Sequence, residues 1–141
     1  MNDLIRISNA LADLSRVRLL AMCFDGERCV CQLVALLGLS NASVSKHLSL
    51  LRDAGLLSSR KQGRWVHYRL PAEPSAPAAE AIGWIRRHGA EDSVFASDRE
   101  QMKQILTIDP GALCRVLRAG GDVFAMCGSE NSIEQSTKEC C

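Results

Sequence analysis

The chain has 141 residues, enough for one compact domain with a hydrophobic core and a modest tail but too few for two independent domains. Its net charge is only +1, so composition alone does not indicate a nucleic-acid-binding protein. No early segment is long and apolar enough to span a membrane or resembles a signal peptide, and we therefore expect a soluble, cytoplasmic protein without a membrane partner.

Positive charge is concentrated in one segment. Residues 41–70 include six basic residues and one acidic residue, which gives this segment a net charge of +5 and leaves −4 for the rest of the chain. The basic residues are Lys46, Arg52, Arg60, Lys61, Arg64 and Arg69. A local positive field of this kind favours contact with a polyanion.

Seven cysteines are distributed unevenly along the chain, at positions 23, 29, 31, 114, 127, 140 and 141. An odd number of cysteines in a reducing compartment argues against a disulfide framework. Two interpretations stay open: metal, metalloid or redox chemistry at the thiols, or buried cysteines that act as small hydrophobic side chains.

The first two predicted elements are helices. Four apolar residues with helical spacing predict the first one: Leu4, Ile7, Leu11 and Leu14. Ser15 is suited to cap a second helix, which contains Cys23 and ends at Asp25-Gly26. We expect Cys23 to be packed in the core.

The next two helices have the pattern of a helix-turn-helix. A third helix is predicted from about Val30, with Gly38 as its stop signal, and Ser40 is suited to cap a fourth. The fourth helix ends near Ala54-Gly55, and its inward face is formed by Val44, Leu48 and Leu51. Two short helices joined by a tight turn at residues 38–40 fit this DNA-binding motif, although other helical hairpins share the spacing.

A basic β-hairpin is predicted to follow the fourth helix. Residues 56–60 and 65–70 favour β-structure, and Gln62-Gly63 between them can form a tight turn. A helix-turn-helix followed by such a hairpin is a winged helix. The alternative is a solvated hairpin with scattered charges.

The C-terminal half is predicted to be helical. The proline-rich segment 71–77 is a connector, and a helix then ends at Gly89 after an apolar face formed by Ala78, Ala81, Ile82 and Ile85. This helix is either spare surface or, together with the first helix, an interface with a second subunit. Residues 1–89 would then form the DNA-binding and dimerisation domain.

Residues 90–141 are predicted to form a helical extension with a flexible, cysteine-containing tail. The capping-box pattern Ser97–Glu100 opens one helix and Asp109-Pro110 opens another, while the sequence from Gly120 onward is polar. The predicted fold class is mainly α with a small β-hairpin, a dimeric winged helix-turn-helix.

The candidate DNA-binding residues lie on the fourth helix and in the wing. The N-terminal half of a recognition helix enters the major groove, where short polar and basic side chains reach bases and phosphates. On the fourth helix the candidates are Asn41, Ser43, Ser45, Lys46, His47 and Arg52. In the wing, Arg60, Lys61 and Arg64 are suited to phosphates or a minor groove. Each residue alone could be an ordinary solvated side chain.

Cys29 and Cys31 form the candidate sensing pair. Soft thiolates select soft ions, and two cysteines separated by one residue can chelate one ion. Residues two apart on an ideal helix point about 200° away from each other, so both sulfurs can share an ion only where the backbone is non-helical or becomes distorted. Ligand binding would then deform the start of the third helix and shift the recognition helix.

These segments resemble the ArsR/SmtB family of repressors, and within it the branch that controls arsenical resistance. The resemblance covers Asp3 to about Ile85 and is carried by Arg28-Cys-Val-Cys-Gln-Leu33, Val44-Ser-Lys-His-Leu48 and Arg60-Lys-Gln-Gly-Arg-Trp-Val-His-Tyr-Arg-Leu70. It implies a homodimer that represses transcription at operator DNA, uses no catalytic cofactor, and is released when trivalent arsenic or antimony binds.

One position departs from the family's pattern. The arsenic motif often continues as Cys-x-Cys-x-x-Cys, but the third position here is Val34. A third ligand would come from a cysteine elsewhere or from solvent, and we expect a tail cysteine or none. The candidates are Cys140, Cys141, Cys127, Cys114 and Cys23.

Other functions are less well supported by the residues. A zinc site is disfavoured because the late dimer helix offers only His88, and the cadmium and lead sensors of this family add cysteines before position 23, where this chain has none. A repressor on the same scaffold that senses thiol oxidation or another soft metal such as cadmium or lead stays an alternative. An enzyme is not expected, since a thiol reductase would need a Cys-x-x-Cys motif that is absent.

Overall fold

The computed structural model describes residues 2–121. In chain order the elements are α1 (Asn2–Leu11), α2 (Leu14–Met22), β1 (Arg28–Cys29), α3 (Val30–Leu37), α4 (Asn41–Asp53), β2 (Ser58–Gln62), β3 (Trp65–Arg69), α5 (Ala76–Gly89), α6 (Ser93–Leu106) and α7 (Pro110–Arg118). The predicted mainly helical fold with a winged helix-turn-helix is confirmed. The predicted flexible tail, with Cys127, Cys140 and Cys141, lies outside the described residues.

The helix-turn-helix formed by α3 and α4 follows the predicted local signals. Gly38 ends α3 with a left-handed φ of 67°, and its N–H donates to the Val34 carbonyl at 2.9 Å. Ser40 caps α4, since its hydroxyl accepts from the Ser43 N–H at 3.1 Å. Val44 and Leu48, on the inner face of α4, are fully buried. This turn therefore fixes how α4 stands on α3.

The wing sheet contains one strand in addition to the predicted hairpin. Strands β2 and β3 pair in antiparallel register with Gly63 at φ 61° in the turn, and β1 pairs with the other edge of β3. Within the described residues the sheet therefore has three strands, in the order β1-β3-β2. The sequence did not predict β1, because two residues are too few to show strand periodicity. Cys29 lies opposite His67 in this register.

The N-terminal helices differ from the prediction in two respects, the residue that caps α2 and the position of Leu14. Asp13, not Ser15, caps α2, and its carboxylate accepts from the Arg16 N–H at 3.1 Å. Leu14 was predicted to share the apolar face of α1, but it begins α2 and is 63% exposed. Cys23, at the C-terminal cap of α2, is buried as predicted.

The helices after the wing also begin earlier than predicted. Ser75 caps α5, so Pro77 lies in the first turn of the helix rather than in the connector. Asp92 caps α6, and the predicted cap Ser97 lies inside this helix. The next residue, Asp98, is buried and accepts two hydrogen bonds from Arg18 of α2, at 2.8 and 2.9 Å. Proline is accepted in the first turn of a helix and serine also occurs in helix interiors, so these residues located the starts only approximately.

The helices α6 and α7 share one hydrophobic core with the winged helix. Met102, Ile105, Leu113 and Cys114 belong to the same buried cluster as the residues of α3. The predicted start of α7 at Asp109-Pro110 is confirmed, since the Asp109 carboxylate accepts from the Ala112 N–H at 3.1 Å. None of the helices in residues 2–121 has the length and hydrophobicity to cross a membrane.

Candidate functional site

The outer face of α4 presents most of the predicted DNA-binding residues. Asn41, Ser43, Lys46 and Arg52 are exposed, while Ser45 is half-buried. Three of these side chains are held by local hydrogen bonds: the Ser45 hydroxyl donates to Asn41 Oδ1 at 3.0 Å, and the Ser43 hydroxyl accepts from that of the N-cap Ser40 at 3.0 Å. A polar and basic surface of this kind can contact the edges of bases and phosphates.

His47 is directed toward the N-terminal helices. Its Nδ1 lies 3.3 Å from Nη1 of Arg16, and the same guanidinium donates to the carbonyls of Ala10 at 2.8 Å and Asn9 at 2.9 Å. Arg16 thereby connects the end of α1 with the recognition helix. Sequence reasoning missed this role, since an arginine outside the basic segment gives no local signal of a contact 31 residues away.

In the wing, Arg60 is engaged by an acidic partner. Glu27 accepts hydrogen bonds from Arg60 Nη2 at 2.6 Å and Nε at 2.8 Å, and lies 3.5 Å from His67 Nδ1. The hydrogen bond from Arg60 is the main reason that the pKa of Glu27 lies below its ordinary value. Lys61 and Arg64 are exposed near the turn. Glu27 was not predicted, and it directly precedes β1.

Cys29 stands at the junction between β1 and α3. It is the N-cap of α3 with extended backbone angles (φ −82°, ψ 157°), its side chain faces the N–H of Gln32, and its own N–H donates to Gln32 Oε1 at 3.0 Å. The backbone therefore leaves the helical path at Cys29, while Cys31 lies within α3.

Cys31 is joined by a disulfide to Cys114 of α7. Their Cα atoms are 5.9 Å apart across a sequence separation of 83 residues, and both side chains are buried. The expectation that the cysteines form no disulfide framework therefore needs correction for this pair. The two cysteines meet because α7 packs on α3. No local sequence pattern predicts a contact between such distant segments.

Cys23 is in a different environment from the other buried thiols. Its sulfur donates to the Tyr68 carbonyl at 3.8 Å, and burial raises the pKa of this thiol to about 12. A thiol with so high a pKa is a poor nucleophile and a poor ion ligand at neutral pH. Its position fits the structural interpretation of a buried cysteine.

The described residues contain a candidate thiol site without a complete ligand set. In residues 2–121 no group of three or more His, Cys, Asp or Glu side chains is arranged to hold a metal ion. The structure brings Cys31 together with Cys114 and leaves Cys29 two residues away, at the N-cap of α3. Thiols of this kind suit a soft, thiophilic ion, and binding would require the Cys31–Cys114 bond to be reduced.

Comparisons with known proteins identify the family of this chain. Residues 13–59 match the model of the family described as "Bacterial regulatory protein, arsR family". The arsenical resistance operon repressor of Escherichia coli (strain K12) is 46% identical over 103 residues, which cover 72% of this chain and 80% of that protein.

Solved structures show the same fold. HlyU from Vibrio cholerae N16961 aligns with a TM-score of 0.55 and 30% identity, covering 64% of this chain and 95% of the HlyU chain. The homodimeric winged helix-turn-helix domain Mb0332 from Mycobacterium bovis aligns with a TM-score of 0.54 over 64% of this chain and 81% of that one, at 24% identity, and supports the fold alone. The family and the Escherichia coli relative are regulators rather than enzymes, and the chain belongs to the ArsR family of transcriptional repressors.

Proposed function

We propose that this repressor binds operator DNA as a homodimer and releases it when trivalent arsenic or antimony binds thiolates that include Cys29 and Cys31. The observation that carries the proposal is the position of these two cysteines. Cys29 ends a strand of the wing sheet and Cys31 lies in the helix that supports α4. An ion bound here acts on both DNA-contacting elements at once.

Chelation would change the backbone between the strand and the helix. Both sulfurs must converge on one ion, which requires new backbone angles at residues 29–31. Because Cys29 pairs with His67 of β3, such a change shifts the strands of the wing. Because α3 packs on α4, it also displaces the recognition helix. Metalloid binding then stabilises a conformation that fits the operator poorly, and the affinity for DNA falls.

The homodimer is supported by an exposed apolar surface on α1 and α5, which we call the α1–α5 face. Leu4 and Ile5 on α1 are 51% and 55% exposed, and Trp84 on α5 is 55% exposed. Leu4 and Trp84 line a common groove. Large apolar side chains grouped in this way are typical of a protein interface. Two copies joined here would present two recognition helices to a two-fold symmetric operator.

A titration with several effectors tests this function. Operator DNA carrying a fluorophore is bound by the reduced protein, and release is followed by anisotropy as arsenite, antimonite, cadmium, zinc or an oxidant is added. Release by low concentrations of arsenite or antimonite, with weaker effects of cadmium and zinc, is the expected result. Release by cadmium alone would contradict the metalloid assignment.

A second candidate function is favoured by the Cys31–Cys114 disulfide. A repressor on this scaffold that responds to oxidants would use this pair as its switch, since oxidation ties α7 to α3. In the same titration, release by the oxidant with no response of the reduced protein to arsenite would support this alternative.

A further inference from the structure

The second turn of α3 has no thiol for a third metalloid ligand. Val34 is buried at the position where a Cys-x-Cys-x-x-Cys motif would place a cysteine. Only another element can therefore supply a third sulfur. In the described residues the remaining cysteines are Cys23 and Cys114.

We propose that Cys114 of α7 supplies the third thiolate, so that the metalloid is bound by Cys29, Cys31 and Cys114. This inference rests on the proposed function and names the site's remaining ligand. The Cα atoms of Cys31 and Cys114 lie 5.9 Å apart, so both sulfurs can reach one ion once they are reduced. Cys29 reaches the same ion through the change of backbone angles at residues 29–31 on which the proposed function depends.

The packing of α7 holds Cys114 in this position. Its neighbour Leu113 is fully buried, and Ile105 of α6 is fully buried in the same core. The ion pair of Arg18 with Asp98 fixes α6 against α2. The sulfur of Cys114 is therefore presented to α3 by a rigid element, which reduces the entropy lost when the site closes around an ion.

Burial of these cysteines favours a trivalent metalloid over a divalent ion. Cys29, Cys31 and Cys114 are each at most 4% exposed. Arsenous acid reacts with three thiols to give a tris-thiolate and three water molecules, and the product carries no net charge. A divalent cation with three thiolates keeps a net negative charge, which is costly to bury in apolar surroundings. The site is thus chemically selective for arsenic or antimony.

A contact elsewhere in the core disfavours Cys23 as the third ligand. Its sulfur donates to the Tyr68 carbonyl at 3.8 Å. Forming a thiolate at Cys23 would require that contact to break. Tail cysteines are the competing source, and the experiment includes them.

Arsenite binding by the full-length chain tests this assignment. The protein is reduced with a phosphine, because dithiol reductants compete for arsenite. The variants are Cys114→Ser, Cys114→Val to preserve apolar packing, and the matched control Cys140→Ser with Cys141→Ser. The number of arsenic–sulfur bonds is measured by X-ray absorption, affinity by the ultraviolet absorbance of those bonds, and folding by circular dichroism.

The expected result is three arsenic–sulfur bonds in wild type and the tail control, but two in both Cys114 variants. The affinity of the Cys114 variants for arsenite should fall at least about tenfold, as changes around metal ligands commonly cause. Three bonds and wild-type affinity in a folded Cys114 variant would overturn the proposal. A wild type that binds arsenite through Cys114 yet keeps its DNA would support this ligand while contradicting the proposed function.

Discussion

At the residue scale, Lys46 offers the most direct test of the DNA-binding face. It is exposed on the outer surface of α4, where a phosphate contact would release counterions. We expect Lys46→Ala to weaken operator binding and to reduce the slope of log affinity against log salt by about 1.8 for the dimer, about 0.9 for the phosphate contact of each subunit, measured by anisotropy at several salt concentrations. The matched control is Lys103→Ala on α6, whose side chain is 75% exposed. Equal affinity and slope for Lys46→Ala and wild type would remove Lys46 from the interface.

Single residues also show which helix boundaries can be predicted from sequence. Gly38, Ser40 and Asp109 act through backbone atoms within four residues, so their roles were predicted correctly. Ser15 and Ser97 were assigned as caps because serine suits that position, yet Asp13 and Asp92 fill it. Propensity identifies a group of capping candidates, and tertiary packing decides which one starts the helix.

At the element scale, the wing and the sensing junction are joined by Glu27. Its carboxylate holds Arg60 of β2 and contacts His67 of β3, directly before β1 begins. Because the pKa of Glu27 is lower in the folded protein, its ionised form stabilises the fold at pH values above its ordinary pKa of 4.5. That contribution is lost as pH falls from this value through the lowered pKa.

The acid sensitivity of the fold should therefore depend on Glu27. Urea unfolding of wild type and Glu27→Gln is compared at pH 7 and at a pH below 4.5. We expect the two proteins to differ more at pH 7 than in acid, since only the ionised carboxylate holds Arg60 strongly. The exposed Glu73→Gln provides the control. A difference between Glu27→Gln and wild type that is the same at both pH values would contradict this role.

A second prediction at this scale concerns the disulfide between α3 and α7. While Cys31 is joined to Cys114, it cannot bind arsenite. We expect the oxidised protein to keep its operator when arsenite is added, and a phosphine reductant to restore release. Thiol counting with and without the reductant verifies the oxidation state. Arsenite-driven release by the fully oxidised protein would show that Cys31 is dispensable.

At the scale of the whole molecule, the α1–α5 face should carry dimerisation. We expect Trp84→Glu to shift the protein to monomers and to weaken operator binding at least about tenfold, because two half-sites are then no longer bound together. Analytical ultracentrifugation measures the first effect and anisotropy the second. Leu106→Glu, at a side chain that is 43% exposed on α6, is the control. A dimeric Trp84→Glu variant would place the interface elsewhere.

The whole fold was predictable from sequence to the extent that its signals are local. The order of the helices and the wing follows from periodicity, glycine stops and caps, and the structure confirms it. The pairing of β1 with β3 and the approach of Cys114 to Cys31 depend on contacts between distant segments. A single sequence taken alone carries no local pattern for these contacts. They are the contacts that form the candidate thiol site.

The central claim is that Cys29 and Cys31 couple metalloid binding to DNA release. It is tested most directly by titrating arsenite into the operator complex of wild type and of the double variant Cys29→Ser with Cys31→Ser, both reduced with a phosphine. We expect the double variant to bind the operator with nearly wild-type affinity and to stay bound at arsenite concentrations that release wild type. Full arsenite-driven release of the double variant would contradict the account.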